Sequence, residues 1–168
     1  MFTLKEICDL GIQIEKNGEK FYRDALKQSW SAPLASMLQM LADEEVRHVD
    51  FFIKQKEKIG REDGNHELEA MGREMLREVL GSQTFSLQEA DLSKIESLEQ
   101  LRSTAVEFEK DTIVFYEMIR SFIKDQETVE QLDAIIEEEH KHVRLFEGYQ
   151  IKEGGISIKR MNGKKEKE

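Results

Sequence analysis

The chain has 168 residues, 36% of them charged, with a formal net charge of −10, one proline and one cysteine. That length supports one core without cross-links, and the lone Cys8 excludes an internal disulfide and any CxxC zinc or rubredoxin-type iron site. The acidic balance argues against nucleic acid as a partner, and neither a membrane-spanning run nor a signal peptide is visible in the sequence, so a cytoplasmic, helix-rich protein is expected.

The first helix is predicted over 4–29, opening on a capping box in which Thr3 and Glu6 satisfy free amides. After a break at Ser29 to Ala32, Pro33 suits the first turn of a second helix over 33–59. Residues 60–96 read as a long crossover that begins GREDG and carries a short helix near 66–80, where Met71, Met75, Leu76, Val79 and Leu80 recur helically. Ser97 with Gln100 opens a third helix over 98–123. A fourth begins near Thr128, after the polar KDQE turn, and runs to 149. A second helix of about 27 residues spans about 40 Å, so the crossover can return the chain to the other end of a bundle. From Lys152 onward six Lys or Arg stand against three Glu, and few residues are apolar. Residues 151–168 therefore read as a disordered basic tail outside a single domain of 1–150.

An internal repeat organises these helices. Shifted by 94 residues, 3–52 overlies 97–146 without a gap and matches at 11 of 50 positions, where chance gives about three. The matches include Glu15 with Glu109, Tyr22 with Tyr116, Glu45 with Glu139 and His48 with His142. Two repeated helical hairpins joined by a crossover make an all-α four-helix bundle.

Each half carries one Glu on its first helix and a Glu-x-x-His on its second. Three residues of separation place the Glu and His on one face, one turn apart. Leu38, Leu41, Glu45, His48 and Phe52 form one stripe; Leu132, Ile135, Glu139, His142 and Phe146 form its counterpart. Four carboxylates and two imidazoles thus point to the bundle axis, the set that two iron or manganese ions require. Two dipositive ions would cancel four glutamates that otherwise repel and raise one another's pKa. Rival residues exist. Glu137 with His140 repeats the motif, but His140 lies about 200° from His142 around the helix. Glu19 competes with Glu15, yet its repeat counterpart is Ile113. Glu107 matches Gln13 and is expected at the surface. Tyr22 and Tyr116 follow their glutamates by two turns, either as core residues or as hydroxyls that orient a ligand carboxylate. Gly18 and Thr112, one turn beyond Glu15 and Glu109, allow either close packing or room beside the metals. Cys8 reads as an inert core thiol, Phe21, Phe115 and the Met residues as packing, and His66 as exposed.

The pattern IEKNGEKFY…LADEEVRHVDFF, repeated as FEKDTIVFY…IIEEEHKHVRLF, resembles the rubrerythrin branch of the ferritin-like diiron-carboxylate superfamily over roughly residues 3–148. The resemblance implies a ferritin-like bundle with two iron ions, manganese as an alternative and zinc as an occupant on purification. Glu45 and Glu139 would bridge the metals, Glu15 and Glu109 would be terminal, and His48 and His142 would each bind one ion. It also implies Fe(II) oxidation or peroxide reduction with O2 or hydrogen peroxide as oxidant, and a homodimer. The departures matter. One cysteine cannot build the family's rubredoxin-type domain, so electrons must come from an external donor. Thr112 stands where rubrerythrins carry an extra glutamate that supports peroxidase chemistry. Val46 replaces the haem-binding Met of bacterioferritin, and the tail offers no fifth helix for a ferritin cage.

Overall fold

The structure, a computed structural model, describes residues 4–28, 30–59, 95, 97–121 and 123–148. The predicted short helix near 66–80, the Thr3 cap, His66 and the 151–168 tail lie outside these residues. Four helices are present: α1 over Leu4–Leu26, α2 over Ala32–Ile59, α3 over Leu98–Arg120 and α4 over Gln126–Glu147. None of them is long and apolar enough to cross a membrane.

The helix starts follow capping chemistry. Ser97 is extended, and its hydroxyl accepts the Gln100 amide, as predicted. The start of α4 differs from expectation by two residues. Asp125 is the N-cap, and its carboxylate accepts both the amide and the hydroxyl of Thr128. The Thr128 hydroxyl also lies 3.1 Å from Gln55 Oε1 on α2, so it ties the α4 start to the neighbouring hairpin. α1 and α3 end three residues earlier than their spacing suggested. At the α1–α2 corner the Trp30 indole donates to the Ala25 carbonyl at 2.6 Å, which closes the turn.

Two apolar clusters fill the bundle. One gathers Ile7, Phe52, Ile119 and Leu132, from the start of α1, the end of α2, the end of α3 and the start of α4. The other gathers Ala25, Leu34, Leu101 and Phe146 from the opposite helix ends. α2 therefore ends at one end of the bundle and α3 begins at the other, as a long crossover requires. Within the first hairpin the helices approach closely at Gly11, where an added Cβ would stand 2.8 Å from the Phe52 ring. Tyr22 stacks on Phe146 and Tyr116 lies tilted over Phe52, so the repeat is visible in the aromatic packing between hairpins. Replacing Ser97 by Ala is expected to cost about 1 kcal/mol; urea unfolding of the metal-free protein would show a lower midpoint at unchanged slope.

Candidate metal centre

Between the two apolar clusters lies a layer of ionisable side chains. Glu15 on α1, Glu45 and His48 on α2, Glu109 on α3, and Glu139 and His142 on α4 are each at most 2% exposed. The apolar stripes explain why: in each, the residues flanking the Glu and His, from Leu38 to Phe52 and from Leu132 to Phe146, are themselves buried. The six residues converge as two overlapping groups. Glu15, Glu45, His48 and Glu139 form one; Glu45, Glu109, Glu139 and His142 form the other. Within each group every residue offers an atom within 4.8 Å of the rest, and Glu45 and Glu139 belong to both. Each group takes three residues from one hairpin and one from the other.

Both imidazoles turn Nδ1 inward. His48 Nδ1 lies 2.9 Å from Glu139 Oε1 and 3.4 Å from Glu15 Oε2. His142 Nδ1 lies 2.8 Å from Glu139 Oε2 and 3.3 Å from Glu109 Oε1. The outward nitrogens meet carboxylates of the opposite hairpin: His48 Nε2 is 2.9 Å from Glu138, and His142 Nε2 is 2.8 Å from Glu44. A carboxylate on the outer nitrogen fixes the ring and its tautomer and leaves the inner nitrogen for a metal. Sequence reasoning missed Glu44 and Glu138. The signal was present, because the repeat pairs these two glutamates identically, but they sit within the acidic runs DEE and EEE, where nothing local distinguishes them.

The electrostatics follow from burial and charge. Burial alone would raise the Glu139 carboxyl, but the imidazoles of His142 and His48 hold it down to about 2. Burial pushes Glu45 well above the usual carboxylate range, and the neighbouring Glu15 and Glu139 charges push it further. Glu109 is raised to about 7 by burial and by Glu139, against the opposing pull of His142. Burial disfavours charge on both imidazoles. The surrounding carboxylates outweigh it, Glu15 and Glu139 foremost at His48 and Glu109 and Glu139 at His142, so both rings are raised and hold their protons.

The remaining candidates separate cleanly. The Tyr22 hydroxyl donates to Glu109 Oε1, across the hairpin boundary. Tyr116, its repeat counterpart, is just as buried, but its hydroxyl has no partner. Gly18 is a place of close packing, not open room: an added Cβ would meet the Glu45 carboxyl carbon and Phe108, both at 3.1 Å. Thr112 is buried and its hydroxyl donates back to the Phe108 carbonyl. Glu19 pairs with Arg23 and Glu137 with Arg144, both outside the layer; Glu107 is exposed and His140 half-buried. Cys8 is buried, and burial pushes its thiol up to about 11, which keeps it protonated. Phe21, Phe115 and Met118 are buried as expected, whereas Met40 is exposed.

Both oxygens of Glu15 and of Glu139, Glu45 Oε1, Glu109 Oε2, and Nδ1 of both histidines are buried with no hydrogen-bond partner outside the cluster, and face only one another. Buried polar atoms are nearly always paired. These eight belong to one cluster, and the donor set of hard carboxylates with one imidazole at each end suits a pair of first-row divalent ions. The residues fit two metal ions.

A family model described as Rubrerythrin matches residues 6–149. Among solved structures, the chain is similar to a Thermotoga maritima protein described as a candidate ferritin-like diiron-carboxylate protein. The two share 21% identity over 86% of this chain and 92% of that one, at a TM-score of 0.65, which is a likeness of fold. No curated protein matches the chain.

The unequal tyrosines give a measurable contrast. Tyr22→Phe leaves a buried Glu109 oxygen without its donor and is expected to destabilise the metal-free protein by about 1–3 kcal/mol. Tyr116→Phe removes a hydroxyl that has no partner, so equilibrium unfolding should show no loss of stability, or a gain.

Proposed function

The chain belongs to the rubrerythrin family, and from that premise we propose that it binds two iron ions between its four helices and acts as an oxidoreductase toward O2 or hydrogen peroxide. The observation that carries this reading is the pair of overlapping four-residue groups that share Glu45 and Glu139. Glu45 and Glu139, common to both groups, would serve both ions, Glu15 and His48 would complete the set for one, and Glu109 and His142 would complete the set for the other. When bound, such a pair would supply two electrons, one from each iron, to an oxygen-derived oxidant.

The protein's own part is to hold and insulate. Glu138 and Glu44 hold the imidazoles with Nδ1 inward. Tyr22 orients Glu109 by hydrogen bonding one of its oxygens, which leaves the other for metal. Apolar clusters on both sides of the layer exclude water from the carboxylates. Position 112 supplies a hydroxyl already engaged by a main-chain carbonyl and no further carboxylate. That favours Fe(II) oxidation over sustained peroxide reduction. With one cysteine in the chain, reducing equivalents come from a separate donor.

Ligand deletion tests the assignment. Elemental analysis after Fe(II) loading should find two ions per chain in the parent protein, none in Glu45→Ala, and one in Glu15→Ala. Metal-free Glu45→Ala should still fold, because the side chain removed is an acid whose ionisation burial and its neighbours oppose, and one of its oxygens is buried without a partner. Two ions held by Glu45→Ala at the parent affinity would rule out bridging. The chemistry is tested by mixing the Fe(II)-loaded protein with O2 or peroxide in excess reductant. Repeated consumption of O2 is the expected result, with peroxide sustaining turnover less well. A single oxidation of two irons, followed by retained Fe(III), would instead identify a protein that handles iron without turnover.

A further inference from the structure

The two carboxylates that hold the histidines are themselves joined by one residue. Arg47 follows Glu44 by three positions on α2, which puts its side chain over that glutamate. Its Nη2 lies 3.1 Å from Glu44 Oε1, and its Nη1 lies 3.7 Å from Glu138 Oε1 on α4. Each carboxylate uses its other oxygen for an imidazole, Glu44 Oε2 for His142 and Glu138 Oε2 for His48. A single guanidinium therefore stands at the head of both relays that lead inward to the ionisable layer.

The residue type matters. A guanidinium is a flat fork with donors on separate edges, so it can face two carboxylates at once; an ammonium is a point charge. The repeat makes the contact distinctive, because the position equivalent to Arg47 is Lys141. The bridge is thus built once, on α2, although it serves both halves. Glu44 and Glu138 are partly open to water, at 25% and 29%, so without Arg47 each is free to relax toward solvent and release its ring.

We propose that Arg47 is a positioning residue for both inward-facing imidazoles at once, acting through Glu44 and Glu138, and so links the two metal positions. The proposal rests on the two-ion reading above. Arg47 is itself 57% exposed, so solvent screens its pull and the effect on each ion is modest, about two- to fivefold in affinity. The carboxylates stand closer to the metals, and losing either should cost about tenfold at one ion.

Titration of the metal-free full-length protein with Co(II), followed by its visible absorption bands, tests this without reference to activity. Glu44→Gln should weaken one binding step and Glu138→Gln the other. Arg47→Gln should weaken both steps and shift the bands of both ions, while Lys141→Gln changes neither. Added to the Glu44→Gln/Glu138→Gln pair, Arg47→Gln should have no further effect, since its route to the rings is already cut. The proposal is overturned if Arg47→Gln binds both ions as the parent does, or if it alters only one. It is also overturned if the same loss appears in the double-variant background, which would mark a general charge effect. A parent protein that takes up fewer than two Co(II) ions would instead sink the two-ion reading itself.

Discussion

A layer of charge through the middle of an apolar bundle sets the terms for everything around it. An uncompensated buried carboxylate costs several kcal/mol, more than the roughly 1.5–3 kcal/mol gained by burying a phenylalanine. Phe52 and Phe146, however well packed, cannot carry Glu45 and Glu139 on their own. Compensation comes from within the layer. Glu139 sits between two protonated imidazoles that hold it ionised, while burial and its neighbours keep a proton on Glu45. A metal cation bound to this cluster would have to displace those protons, as it must at any site built from titratable ligands.

The geometry of that niche depends on contacts that are not themselves ligands. Gly18 gives the Glu45 carboxyl its place, because any side chain there would press on it and on Phe108. The loss of helix propensity at Gly18, up to about 1 kcal/mol, is the cost of that approach. Apolar clusters above and below hold each helix in register, so the ligand atoms do not depend on loops for their placement. Packing supplies precision, and charge supplies the demand for metal.

Much of this was legible before any coordinates. The Glu-x-x-His pairs lie on apolar stripes; the repeat separates Glu15 from Glu19 and the angle around the helix separates His142 from His140, and in the structure Glu15 and His142 are buried whereas Glu19 and His140 are half-buried. What escaped was set by tertiary contact. Asp125 and Thr128 are both competent helix caps, and the reach of Thr128 to Gln55 on another helix is not a local property. Glu44 and Glu138 look like solvent-facing acids until the opposing hairpin brings a histidine to each. The repeat treats Tyr22 and Tyr116 as equals, whereas only Tyr22 finds its glutamate, and no one-dimensional pattern encodes that break in symmetry.

The crossing of histidine and carboxylate between hairpins carries a historical implication. One hairpin contains three members of a four-residue group, and its second helix contains the acid that braces the other hairpin's ring. A free-standing ancestor of that length would have been an incomplete chelator. Two copies of it would have completed one another, each supplying the fourth residue of the other's group. The present halves are not identical, and Arg47 against Lys141 is one position at which they differ.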